Sequence, residues 1–124
     1  MIKEMIAIFV GGGIGSLLRY LVQMVLHERI RPYEFPWATL SVNLTGCFLI
    51  GVFYAWSARW NWSMEVRLLL TTGLCGGFTT FSTFCHDCLQ MVRQGYYAPF
   101  ILYVFISLMF GLLAVWGGTL CGKN

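Results

Sequence analysis

The sequence predicts an all-α integral membrane protein whose single domain, residues 1–124, consists of four transmembrane helices. Two observations predict it. Of the 124 residues, 58% are hydrophobic and 10% charged, and the mean hydropathy is +0.71. Soluble domains average roughly 25% charged residues, and a soluble chain this small must cover most of its surface with polar groups. Second, most charges fall outside four long apolar stretches, about Met5–Leu26, Pro36–Ala58, Leu68–Met91 and Tyr96–Leu120, which define spans at about 4–26, 36–59, 64–92 and 96–121; each reaches the roughly 20 residues that a helix needs to cross a bilayer. A soluble enzyme, a disordered segment and a disulfide-rich secreted domain are all disfavoured. The net charge of +3 is scattered along the chain, so no nucleic-acid partner is expected.

From Met5 to Leu26 the first run is interrupted only by Arg19. It lacks a small-residue cleavage site and is not read as a signal peptide. Gly12, Gly15, Ser16 and Arg19 share one helical face, and the small residues suit close helix contact. A cation at that depth costs about 2.5–3.5 kcal/mol unless it snorkels or finds partners. Arg19 is therefore read either as a structural cation bonding backbone carbonyls or as an ion-facing cation in a vestibule. Between the first two runs, HERIRPYEF (27–35) and Pro36 supply turn signals and charge.

The second run carries no charge from Pro36 to Ala58 and places Thr39, Asn43 and Gly46 along one face. The Asn43 carboxamide serves equally well as a bond to a neighbouring helix or as a donor to a polar pathway.

The third run opens on Ser63, a suitable N-cap with Glu65 and Val66 behind it. Its middle reads Gly73-Leu74-Cys75-Gly76-Gly77-Phe78-Thr79-Thr80-Phe81-Ser82-Thr83-Phe84. The glycines weaken a helix by about 1 kcal/mol each relative to alanine, and β-branched threonines follow, so a break at mid-membrane is expected. Irregular backbone at that depth is tolerated only inside protein or against a water-filled cavity, and freed carbonyls there are natural cation ligands. Phe81 and Phe84 share a face. Ordinary packing accounts for most phenylalanines, but a ring edge is the positive end of the aromatic quadrupole and can face an anion.

The fourth run is uncharged, begins near Pro99, and lines up Tyr103, Ser107 and Gly111. Trp37, Trp56, Trp60, Trp62, Tyr96 and Tyr97 cluster at segment ends, where amphipathic rings sit at headgroup level.

Loop charge is almost balanced. One side of the membrane carries Lys3, Arg59, Arg67 and Lys123, and the other Arg29, Arg31 and Arg93. Such a balance gives little orientational preference, which suits a dual-topology protein inserting both ways and pairing antiparallel with itself. Four helices alone also leave no room for a solute pathway, so oligomerisation is expected.

Among the five cysteines, Cys47, Cys75 and Cys121 are read as small apolar packing residues. Cys85-His86-Asp87-Cys88 has a CxxC spacing, but zinc needs about four ligands and no second Cys/His pair exists.

Gly12-Gly13-Ile14-Gly15 with Arg19-Tyr20, Thr39-Leu40-Ser41-Val42-Asn43-Leu44-Thr45-Gly46, and above all Gly76-Gly77-Phe78-Thr79-Thr80-Phe81-Ser82-Thr83-Phe84 make the chain resemble the Fluc/CrcB fluoride channel family along essentially its whole length. The resemblance implies passive export of fluoride across a bacterial inner membrane by an antiparallel dual-topology homodimer with two pores, and no enzymatic activity. It implies a structural sodium ion on the two-fold axis, held by main-chain carbonyls that map onto Gly77 and Thr80. Pore phenylalanines map onto Phe81 and Phe84, the pore asparagine onto Asn43, and the hydroxyl track onto Ser82, Thr83, Tyr103 and Ser107. Ala38, Cys85, Asp87 and Gly111 depart from the family pattern, Asp87 keeping a carboxylate on a shorter stem. A proton-coupled exporter of the small multidrug-resistance type shares the length, span count and dual topology. It depends, however, on a membrane-buried glutamate in the first helix, where this chain has only Glu4 at the very start.

Overall fold

The computed structural model describes residues 1–29 and 35–123, and in these every element is a helix. Four segments are long and apolar enough to cross a membrane: Ile2–Leu26, Trp37–Trp60, Met64–Arg93 and Tyr97–Lys123. The expected connection at 30–34, with Arg31 and Pro32, lies outside the described residues.

Helix α1 (Ile2–Arg29) and helix α2 (Trp37–Trp60) are unbroken. After α2 the chain turns through Asn61 in the left-handed region (φ 50°), a conformation that Asn tolerates better than most residues. Ser63 then caps α3 (Met64–Leu68), accepting from the Val66 amide at 3.4 Å. A π-helical stretch, Leu69–Cys75, and one turn of α-helix, α4 (Gly76–Phe78), continue this span. Thr79 and Thr80 are extended (ψ 159° and 125°), and helix α5 (Phe81–Arg93) follows.

The interruption lies two residues beyond Gly76-Gly77, which remain helical. Thr80 favours it locally as an N-cap, its hydroxyl accepting from the Thr83 amide at 3.1 Å. Helix α5 ends in a Schellman motif: Gly95 (φ 82°) donates to Val92, and Tyr96 donates to the Met91 carbonyl at 2.8 Å. Helix α6 (Tyr97–Lys123) starts at once, with Pro99 in its first turn, where no amide is missed.

Glycines set the helix pairing. The span Met64–Phe78 lies parallel to α1, and a Cβ on Gly15 would run into the Leu74 carbonyl oxygen, while one on Gly77 would meet the Gly12 carbonyl. Helices α2 and α6 also run parallel, with Gly51 against Val115 and Gly118 against Phe48. Close backbone approach through small residues is how helices pack where lipid supplies no hydrophobic drive. Helix α5 closes on α6 around a core of Leu40, Met91 and Tyr103, with Phe84, Cys88 and Ile106 packed against it. At the α2–α3 turn, Phe53, Trp56, Trp60 and Trp62 form one aromatic cluster, with Arg59 over the Trp60 ring.

Candidate functional site

The interrupted third span is held by two side chains from other helices. The Asn43 Oδ1 accepts from the Thr80 amide at 2.8 Å, and its Nδ2 donates to the Thr80 carbonyl at 3.1 Å. From α1, the half-buried Arg19 donates its Nε–H to the Gly77 carbonyl at 3.0 Å. Gly77 permits this by its close approach to α1. Arg19 thus bonds a backbone carbonyl of the third span through its Nε–H.

These bonds redistribute the helix donors. The Thr80 amide, which in a continuous helix would bond the Gly76 carbonyl, is spent on Asn43. The Thr83 amide, which would bond Thr79, is spent on the Thr80 hydroxyl. Carbonyls 76 and 79 thus lose their helical partners, while carbonyls 77 and 80 each accept from a side chain. Carbonyls 76, 77 and 79 still have a lone pair to offer, whereas the Thr80 carbonyl, at the N-cap of α5, also accepts the first bond of that helix.

Beside the interruption lies a cavity of about 320 Å³. Of the residues singled out in the sequence, Asn43, Phe81, Phe84, Ser107 and Thr80 line it together, with Thr79, Gly76, Cys47 and Cys75. None of its lining side chains is charged. The Ser107 hydroxyl is buried and has no hydrogen-bond partner. The Phe81 and Phe84 rings stand 6.0 Å apart between centroids, inclined at 35°. Phe84 is half-buried and lies 5.0 Å from the Tyr103 ring, whereas Phe81 is 76% exposed on the protomer surface.

The other expected track residues sit outside this cavity. Ser82 is exposed, its hydroxyl 3.3 Å from that of Thr80, and Thr83 is half-buried. Tyr103 is fully buried and donates its one hydroxyl hydrogen to Asp87 Oδ2 at 3.2 Å, so in this arrangement it presents lone pairs to any other partner.

Because α2 and α6 run parallel, the polar positions pair in rungs one turn apart. Thr39 and Tyr103, both buried, form the first; Asn43 and Ser107 the second; and Cys47 and Gly111 the third. The i, i+4 spacing of Thr39, Asn43 and Cys47 is the signal that would have placed Cys47 in this series.

The family model for CrcB-like protein, Camphor Resistance (CrcB), matches residues 6–119. The chain is 52% identical to a fluoride-specific ion channel FluC of Bacteroides fragilis, with 98% of each chain covered. It is 47% identical to one of Phocaeicola vulgatus (91% of this chain, 93% of the relative) and 42% identical to one of Leptospira interrogans (98% and 96%).

Proposed function

The chain belongs to the CrcB-like family, and from that premise we propose that it is a fluoride-selective channel through which fluoride leaves the cell passively. It is a multi-pass bacterial membrane protein and not an enzyme. The observation that carries the channel reading is the buried, unpartnered Ser107 hydroxyl in an uncharged cavity shared with Asn43, Phe81 and Phe84.

Fluoride is small and strongly hydrated, so a pathway must replace its water with close donors. Asn43 spends one of its two N–H hydrogens on Thr80 and keeps the other, and Ser107 keeps its hydroxyl hydrogen. Ser82 and Thr83 extend the track beyond the cavity. The rings of Phe81 and Phe84 offer positive edges without a formal charge. Lysine or arginine in their place would hold the ion too tightly, since conduction requires release as well as binding. One turn before Asn43 the series reaches the Tyr103–Asp87 hydrogen bond. A proton-coupled exporter is not favoured, because the cavity has no titratable carboxylate.

The working unit in this reading is an antiparallel dual-topology homodimer with two pores, each lined by both copies. The open Phe81 side chain supports it, since a second copy would complete the wall that one protomer leaves exposed. We read the Thr79–Thr80 interruption as the mid-membrane break, and its carbonyls fit a hard cation such as sodium on the two-fold axis. Gly77 and Thr80 were the expected ligands. The freed carbonyls of Gly76 and Thr79 join them as candidates, the more so because a cation on the Gly77 oxygen would face the Arg19 guanidinium. Sodium there would tie the two copies together. Fluoride efflux from liposomes containing the purified protein, with chloride as control, tests the channel reading.

A further inference from the structure

The third rung of the polar series carries one sulfur, Cys47, and a second sulfur, Cys75 of the third span, lines the same cavity; fluoride conduction gives neither anything to do. Cys47 and Cys75 both line the cavity, and both are free thiols. Cys47 lies one turn beyond Asn43, and Cys75 one turn before Thr79, at 2% exposure. Position 111 on α6 is glycine, and a Cβ built there would find Cys47 Sγ 3.6 Å away as its nearest neighbour. No side chain from that position covers the sulfur.

Thiols are weak hydrogen-bond donors and add little to a fluoride track. Their chemistry is soft: deprotonated sulfur selects monovalent copper and its analogues, whereas carbonyl, hydroxyl and carboxylate oxygen suit hard ions. Two sulfurs satisfy a linear d10 monovalent cation. Zinc would need about four ligands, and no cluster of three or more His, Cys, Asp or Glu residues exists among the described residues.

We propose that Cys47 and Cys75 form a soft-metal site on the cavity wall, taking copper(I) or silver(I), and that the bound metal blocks fluoride. In binding, each thiol releases its proton to water and two sulfur–metal bonds form, with no change of oxidation state. Two thiolates and one monovalent cation leave a net charge of −1 where the empty site has none. In a low-dielectric interior a charge a few ångströms from the path repels an anion strongly, and the metal also fills space.

This inference rests on the fluoride-channel reading, and its test separates the two. The full chain carrying Cys85→Ser, Cys88→Ala and Cys121→Ala, none of which lines the cavity, is reconstituted in liposomes in chloride-free nitrate buffer and treated with silver nitrate. Silver retained per protomer is read by mass spectrometry of the intact protein, and fluoride efflux by a fluoride electrode. The expected result is one silver ion per protomer, loss of fluoride efflux, and recovery on adding a dithiol. Adding Cys47→Ser or Cys75→Ser should abolish both silver retention and block. Silver retained undiminished by those variants, or no retention at all, overturns the site. Retention with undisturbed efflux overturns the block. A protein with no fluoride efflux before silver is added contradicts the channel reading, and silver stoichiometry alone then decides the metal site.

Discussion

Arg19 donates its Nε–H to the Gly77 carbonyl at 3.0 Å, and no carboxylate pairs with it among the described residues. A guanidinium in mid-helix is thus matched to backbone that has lost its helical donor, since Phe81, four residues on, begins a new helix. Each removes the other's desolvation problem. Arg19→Ala should orphan that carbonyl and cost about 1–3 kcal/mol of stability, read as a lower melting temperature in detergent. Arg19→Gln, which keeps a donor, should recover part of the loss. An alanine variant as stable as the parent would show that the bond carries nothing.

Asn43 grips Thr80 at both its amide and its carbonyl. Asn43→Asp keeps the acceptor for the amide but removes the donor to the carbonyl and the second N–H of this cavity-lining carboxamide. Fluoride flux should be abolished while the assembly, checked by size-exclusion chromatography, elutes as the parent does. Normal flux in Asn43→Asp would mean that no donor is needed there.

Phe81 and Phe84 differ in burial but are assigned the same role. Phe84→Ile gives up the ring contact with Tyr103, worth about 0.5–1.5 kcal/mol; Phe81→Ile gives up no comparable buried contact within the protomer. Both should sharply reduce fluoride efflux while leaving the protein folded and dimeric. If dimeric Phe81→Ile and Phe84→Ile proteins conduct at the parent rate, the rings are packing only.

Balanced loop charge predicts that tagged termini of the unmodified protein appear on both sides of the membrane. Extra lysines in one loop should bias insertion to one orientation, read by accessibility of the tag. A single fixed orientation in the unmodified chain would contradict antiparallel assembly.

Much of this was legible in the sequence. Four apolar spans were expected, and four helices among the described residues are long and apolar enough to cross a membrane, because hydropathy and charge decide what lies in a bilayer. The Ser63 cap was legible because capping is local. The position of the helix interruption was not. Intrinsic propensity points to Gly76-Gly77, but Gly77 is needed for contact with Gly12 on another helix, and the chain leaves helical geometry where Asn43 can hold Thr80. The Tyr103–Asp87 bond and the shared cavity of Cys47 and Cys75 were hidden for the same reason. They join residues far apart in sequence, and a list of apolar spans does not register one helix against another.

Passive, selective conduction is tested most directly by fluoride efflux from liposomes under a potassium–valinomycin potential, with the pH equal on both sides and chloride measured in parallel. A passive fluoride-selective channel should lose fluoride under voltage alone, without proton movement and without chloride loss. Fluoride movement that stops when the proton gradient is abolished, or equal passage of chloride, would contradict it.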